Sequence, residues 1–144
     1  MPVALRCPQL PLTEHQVELL WQAVITQSEH ADDEVAVQCV SPEQIQALNQ
    51  RYRQVDAPTN VLTFSYPPDS HLPESSSTHD VSVCLEVAQT EAGEQAVPLP
   101  DYTALLLVHA FLHAVGFDHE QGVAQAHATH AAEQAILRTQ GFLP

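Results

Sequence analysis

The chain has 144 residues and a mass of 15.8 kDa, which suits a single domain spanning 1–144. A chain of this length buries roughly 68–70% of its unfolded surface, and 44% hydrophobic residues are enough for a core. Eighteen acidic residues face four arginines (Arg6, Arg51, Arg53, Arg138) and no lysine, for a formal net charge of −14. A broad basic face for polyanions is thereby excluded. Any phosphate handled here needs a metal ion or one well-placed arginine.

No run approaches the ~20 apolar residues of a membrane span, and MPVALRCPQL has neither a long apolar segment nor a small-residue cleavage site. Cys7, Cys39 and Cys84 are odd in number and lack CxxC spacing, so they read as buried free thiols of a reducing cytosol.

Val3–Arg6 reads as a first strand, ended by Pro8 and Pro11. Thr13 and Gln16 form a capping box, and Val17, Leu20, Trp21 and Val24 make the apolar stripe of the helix behind it. Glu34–Val40 alternates as a half-buried strand. Ser41-Pro42-Glu43-Gln44 opens a second helix, with Ile45, Leu48 and Tyr52 as its apolar face and Pro58 preventing continuation. Val61–Ser65 is a third strand. Tyr66–His79, with three prolines and a serine run, reads as a surface loop. Val81, Val83 and Leu85 alternate as a fourth strand, and Glu86–Glu94 reads as a short helix. Asp101 is the expected cap of the most apolar helix, Tyr102–Val115, which stops at Gly116. Val123–Leu137 is an alanine-rich closing helix. This order predicts an α+β fold, a small mixed sheet of about four strands with helices packed against it.

The chemistry concentrates in His109-Ala110-Phe111-Leu112-His113-Ala114-Val115-Gly116-Phe117-Asp118-His119. His109 and His113, four apart on a buried helix, lie on one face. Gly116 can turn the chain, so His119 can return to the same point. Three imidazoles with one position open is the geometry of a catalytic zinc site. A lone histidine on an apolar helix is more often a core residue with one hydrogen bond. Two at helical spacing in an otherwise apolar segment would be costly to bury unpaired, and coordination removes that cost. The spacing H-x3-H-x2-G-x2-H is also that of metzincin proteases, but their general-base glutamate is replaced by Ala110. What survives is a Lewis-acid metal with an activated water.

Asp118 can orient an imidazole or cap a loop. Glu120 reads as a helix-start carboxylate, with a reserve general base as the alternative; His127 and His130, at i, i+3, read as solvent-exposed, with a fourth ligand as the alternative. His15, His30, His71 and His79 share no spacing and read as structural or exposed. Asp56 either holds the turn before Pro58 or pairs with Arg53. Arg51 and Arg53, two apart on a helix, cannot both line one pocket. One is a cation at a helix C-terminus and the other presents a guanidinium to phosphate; spacing alone does not choose.

LNQRYRQVDAPTNVLTF together with HAFLHAVGFDH resembles the YbeY family of bacterial zinc-dependent endoribonucleases. The likeness extends to DVSVCL and to the closing helix with Glu133, Ile136 and Leu137. It implies an α+β fold, one Zn2+ per chain on His109, His113 and His119, and a catalytic role for Arg53. It also implies a cytoplasmic, single-strand-specific endoribonuclease in ribosomal RNA processing (16S 3′-end maturation) and ribosome quality control. Its partners would be single-stranded RNA and the small ribosomal subunit with its basic proteins, without DNA or membrane. The chain departs from the family's usual residues at Ala110 and His79, both usually glycine, at Phe117 for tyrosine and at Thr129 for methionine. Two other classes compete: a ribosome-assembly factor with a mainly structural metal, and a metal-dependent hydrolase of another substrate.

The charge count carries its own expectation. Salt slopes for single-stranded nucleic acid run at about −0.7 per phosphate neutralised. With one or two usable arginines, RNA binding by the isolated protein is expected to be weak and shallow in salt. A fluorescence-anisotropy titration across ionic strength checks this, and a steep slope would contradict it.

Overall fold

The computed structural model describes residues 3–26, 33–66, 78–116 and 123–142. The elements run β1 (Val3–Arg6), α1 (Glu14–Ile25), β2 (Glu34–Cys39), α2 (Pro42–Arg53), β3 (Val61–Tyr66), β4 (Thr78–Val83), α3 (Leu85–Gln95), α4 (Leu99–Ala114) and α5 (Val123–Thr139). The sheet order is β1-β2-β4-β3, with β1, β2 and β4 parallel and β3 antiparallel to β4. This is the mixed four-stranded α+β architecture that the patterning implies.

Alternation along the strands gives the sheet two unequal faces. Val3, Val35, Val37, Val81 and Val83 point to one side, where α1, α4 and α5 bury them in the main core. Trp21 of α1 is fully buried there and meets Phe111 of α4 edge-on, with ring centroids 5.1 Å apart. The opposite face is covered only in part. Ile45 of α2 packs on Leu62 and Cys84, with Leu48 and Phe64 at the margin. Among the described residues, no helix is long and apolar enough to cross a membrane.

Both expected capping boxes form: Thr13 with Gln16, and Ser41 with Gln44. Elsewhere the boundaries differ from the patterning. β4 begins at Thr78 instead of Val81, and Leu85 opens α3 instead of extending the strand. The polar start of β4 is tolerated because His79, 2% exposed, lies 2.8 Å from Asp33 Oδ2 and 2.7 Å from Ser65 Oγ, beside Trp21. An imidazole thus fills a structural niche, as expected of a histidine outside the motif. α4 starts at Leu99, so Asp101 sits in its first turn and Pro98 occupies the cap position. Tyr52 does not join the apolar face of α2; it is 53% exposed, its ring edge-to-face with Phe64.

The cysteine expectation is overturned for two of three residues. Cys7 and Cys39 form a disulfide with a Cα–Cα separation of 5.3 Å, and only Cys84 is free and buried. The cause is strand register. Arg6 pairs with Gln38 across β1 and β2, so the next residue on each chain falls side by side, which a sequence separation of 32 conceals. Of the three expected buried thiols, Cys84 remains.

Ser41 Oγ accepts from Gln44 N at 3.1 Å, and Gln44 Oε1 accepts from Ser41 N at 2.8 Å. Ser41→Ala is expected to lower stability by about 1 kcal/mol. Urea denaturation should show a lower midpoint with an unchanged slope.

Candidate functional site

Two helices and one strand meet at the open edge of the sheet. α4 buries residues around most of its circumference, from Tyr102 to Leu112. His109 and His113 occupy the remaining side, one turn apart and half-buried. The side chain of His109 is 36% exposed. Neither ring is therefore sealed in the core, and the burial cost invoked from sequence does not operate: both face a cleft. α4 ends at Ala114 with Val115 at the cap position, and Gly116 follows with φ +104°, its N–H donating to His113 O at 3.1 Å. That left-handed conformation is the turn expected of the glycine. His119, with Phe117, Asp118 and Glu120, lies outside the described residues, as do His30, His71 and the side chain of His127.

Arg53 is the last residue of α2. The helix is closed by Gln54 in the left-handed conformation, its N–H donating to Asn49 O and Gln50 O. Asn49, buried, donates from Nδ2 to Ala57 O at 2.9 Å, drawing the chain back toward β3. Asp56 accepts from Gln46 Nε2 at 3.0 Å, a bond that ties the segment before Pro58 to α2. The start of β3 is held from the other side. Asn60 O accepts from Cys84 N at 2.9 Å, and Asn60 Nδ2 donates to Glu91 Oε1 at 2.9 Å. Glu91 Oε1 also accepts from Tyr102 Oη at 3.0 Å.

These restraints shape a cleft of about 170 Å³ walled by Arg53, residues 59–63, His109, Ala110 and His113. Arg53 reaches it from α2, while Arg51 turns aside, its guanidinium carbon 5.3 Å from the Tyr52 ring centroid. Ala110, 2% exposed, forms part of the wall where a metzincin has its glutamate, and the described lining residues include no carboxylate. A larger cavity of about 620 Å³ opens near the carboxyl ends of β1 and β2, but no histidine lines it. Chemistry, not volume, singles out the smaller cleft.

The residue that sequence reasoning left without a role is Glu133. It is 7% exposed on α5, and its Oε1 accepts from His109 Nδ1. A carboxylate here fixes the imidazole's tautomer, leaving the lone pair on Nε2. The signal was present in the spacing: Thr129, Glu133, Ile136 and Leu137 fall at i, i+4, i+7 and i+8, and all four are buried. A glutamate on an apolar stripe needs a partner. His130, by contrast, is exposed, as expected.

The fold and cleft define a class: α+β proteins whose H-x3-H helix faces an arginine across the edge strand of a small mixed sheet. Comparison with known proteins identifies which. Residues 7–141 match the family of endoribonuclease YbeY, and this chain belongs to that family. An endoribonuclease YbeY of Paracidovorax citrulli is 38% identical over 99% of this chain and 93% of its own length. That of an Acidovorax species (strain JS42) is 40% identical over 90% of this chain and 84% of its own. The Burkholderia ambifaria relative is 44% identical over 76% of this chain, a match that spans 61% of that longer protein. The solution structure of TM1509 from Thermotoga maritima shares the fold, with a TM-score of 0.60 and 24% identity over 95% of this chain and 90% of that one.

The polar clamp behind the cleft has a pH signature. Burial, then the Glu91 carboxylate, raises the Tyr102 phenol above its ordinary 10.0; burial likewise pushes up the Cys84 thiol from 9.0. Above these ordinary values the unfolded chain releases protons that the folded chain retains, so stability falls as pH rises. Urea-unfolding free energy is expected to decline as pH climbs through 9.0 and then 10.0. In Tyr102→Phe the second part of the decline should be shallower, and an unchanged pH profile would contradict the clamp.

Proposed function

We propose that this chain is a metal-dependent endoribonuclease that cuts single-stranded RNA in ribosomal RNA processing, including 16S 3′-end maturation and ribosome quality control. The observation that carries the reading is the meeting of an imidazole pair and one guanidinium in a single cleft, in a chain of the endoribonuclease YbeY family. The whole chain is taken as one catalytic domain working in the cytoplasm, beside the small ribosomal subunit. A net charge of −14 suits docking on basic ribosomal proteins better than wrapping naked RNA.

The donor set suits zinc. Two neutral imidazoles on consecutive turns are a common half of a zinc site, and the Glu133 contact on His109 Nδ1 is the carboxylate partner such ligands ordinarily have. We assign His109, His113 and His119 as its protein ligands, one ion per chain. When bound, the ion would polarise a phosphate oxygen and lower the pKa of its water toward about 7. Arg53 donates to the phosphate with a planar fork and stabilises charge that grows as the phosphorus centre becomes crowded. Glu133 holds His109 in one orientation. Residues 59–63, tied to Glu91 and Cys84, keep the opposite wall fixed.

Arg53→Ala and His113→Ala should each reduce cleavage of a single-stranded RNA oligonucleotide at least about 100-fold. Their circular dichroism and melting should match wild type; full activity in either variant would reject the mechanism. Glu133→Gln is expected to weaken zinc about 10–100-fold, read by competition with a chromogenic chelator and so independent of turnover. Unchanged zinc affinity would remove Glu133 from the site.

A further inference from the structure

We infer that an exposed aromatic strip beside the cleft, built from Tyr52 and Tyr66 around Phe64, receives an unpaired base of the RNA whose phosphate lies at Arg53. The inference rests on the nuclease reading and adds a substrate subsite to it.

Binding without lysine cannot draw its affinity mainly from charge. Proteins that hold single-stranded nucleic acid have a second source, the stacking of bases on aromatic rings. Among the described residues, four large apolar side chains are exposed: Leu19, Tyr52, Val55 and Tyr66. The two aromatic ones share one shallow cavity of about 280 Å³ with Phe64 and Asp80. Tyr52 meets Phe64 at 4.9 Å with an interplanar angle of 62°, yet keeps 53% of its surface open. Tyr66 is 50% exposed, and Asp80 of the neighbouring β4 lines the same cavity. Arg51 covers part of the Tyr52 ring and adds the cation often found with such stacks.

Continuity with the cleft decides the occupant. Tyr52 immediately precedes Arg53, and Phe64 immediately follows Thr63, both cleft residues. Phe64 and Tyr66 stand on the α2 side of β3, whereas the imidazoles come from α4 on the other side. β3 is an edge strand. A single strand can cross that edge at Arg53, with its phosphate in the cleft and a neighbouring base on the aromatic strip. A duplex cannot, because its bases are already stacked inward. The strip thus makes the site selective for unpaired RNA.

The test compares KM and kcat of the zinc-loaded protein on a single-stranded RNA oligonucleotide and on versions carrying one abasic nucleotide at successive positions. Tyr52→Leu and Tyr66→Leu should each raise KM about tenfold and leave kcat within about twofold, while Tyr52→Phe and Tyr66→Phe should behave as wild type. One abasic position should raise the wild-type KM by a similar factor and have little further effect in the leucine variants. Leucine variants with wild-type KM, or a loss confined to kcat, would overturn the subsite. If Tyr52→Leu lowers the melting temperature, Tyr66→Leu at its exposed strand end decides alone. A wild-type protein that cuts no RNA would reject the nuclease reading and the subsite together; one that cuts while the leucine variants match it rejects the subsite only.

Discussion

The rotation of α4 about its own axis is the constraint on which the site depends. The helix touches α1, α3, α5 and β3, and its buried residues occupy nearly every direction except the one that carries His109 and His113. Turning α4 by one residue would drive an imidazole into the core and bring an apolar side chain out, a change opposed by the transfer of several large side chains to water. The hydrophobic core thereby aims both imidazoles at the cleft. With the helix so oriented, Glu133, projecting from α5, accepts from His109 Nδ1.

Charge operates differently. With so few cations, each arginine has a separate neighbourhood. Arg53 enters the cleft and Arg51 lies on Tyr52, although two positions separate them. Successive residues on a helix are about 100° apart, so a pair at i, i+2 diverges. The acidic surface would repel a polyanion approaching at random. On the proposed function, RNA would reach the cleft when presented by something basic, or when held by contacts that do not depend on charge. Those two routes are compatible, since one governs encounter and the other governs residence in the cleft.

The elements were legible in the sequence wherever one local signal sufficed. Capping boxes at Thr13 and Ser41, the glycine turn at Gly116 and the valine alternation of the strands all report short-range physics, and each recurs in the structure. What was hidden depended on partners far along the chain. Glu133 acquires its role from a histidine 24 residues away. His79 could extend β4 toward its N-terminus because Asp33 and Ser65, on different segments, satisfy its ring. Cys7 and Cys39 meet through parallel register, which no spacing rule encodes. The choice between Arg51 and Arg53 likewise needed the direction in which α2 presents its last turn. His119 belongs to the segment outside the described residues, so its assignment rests on the motif.

Ala110 shows how the departures from the family's usual residues fit together. It lies in the cleft wall between the two histidines in sequence and is almost fully buried. Its single methyl group fills space without adding a polar atom, so it neither supplies a base nor competes for a ligand. A glutamate at this position would place a carboxylate against the start of β3, where Asn60 is already committed to Glu91. A negative charge in that wall, whose described residues carry none, would oppose the phosphate proposed for Arg53. On that proposal the lack of a peptidase base belongs to the cleft's chemistry: a wall that is to accept a phosphodiester leaves its positive charge unopposed.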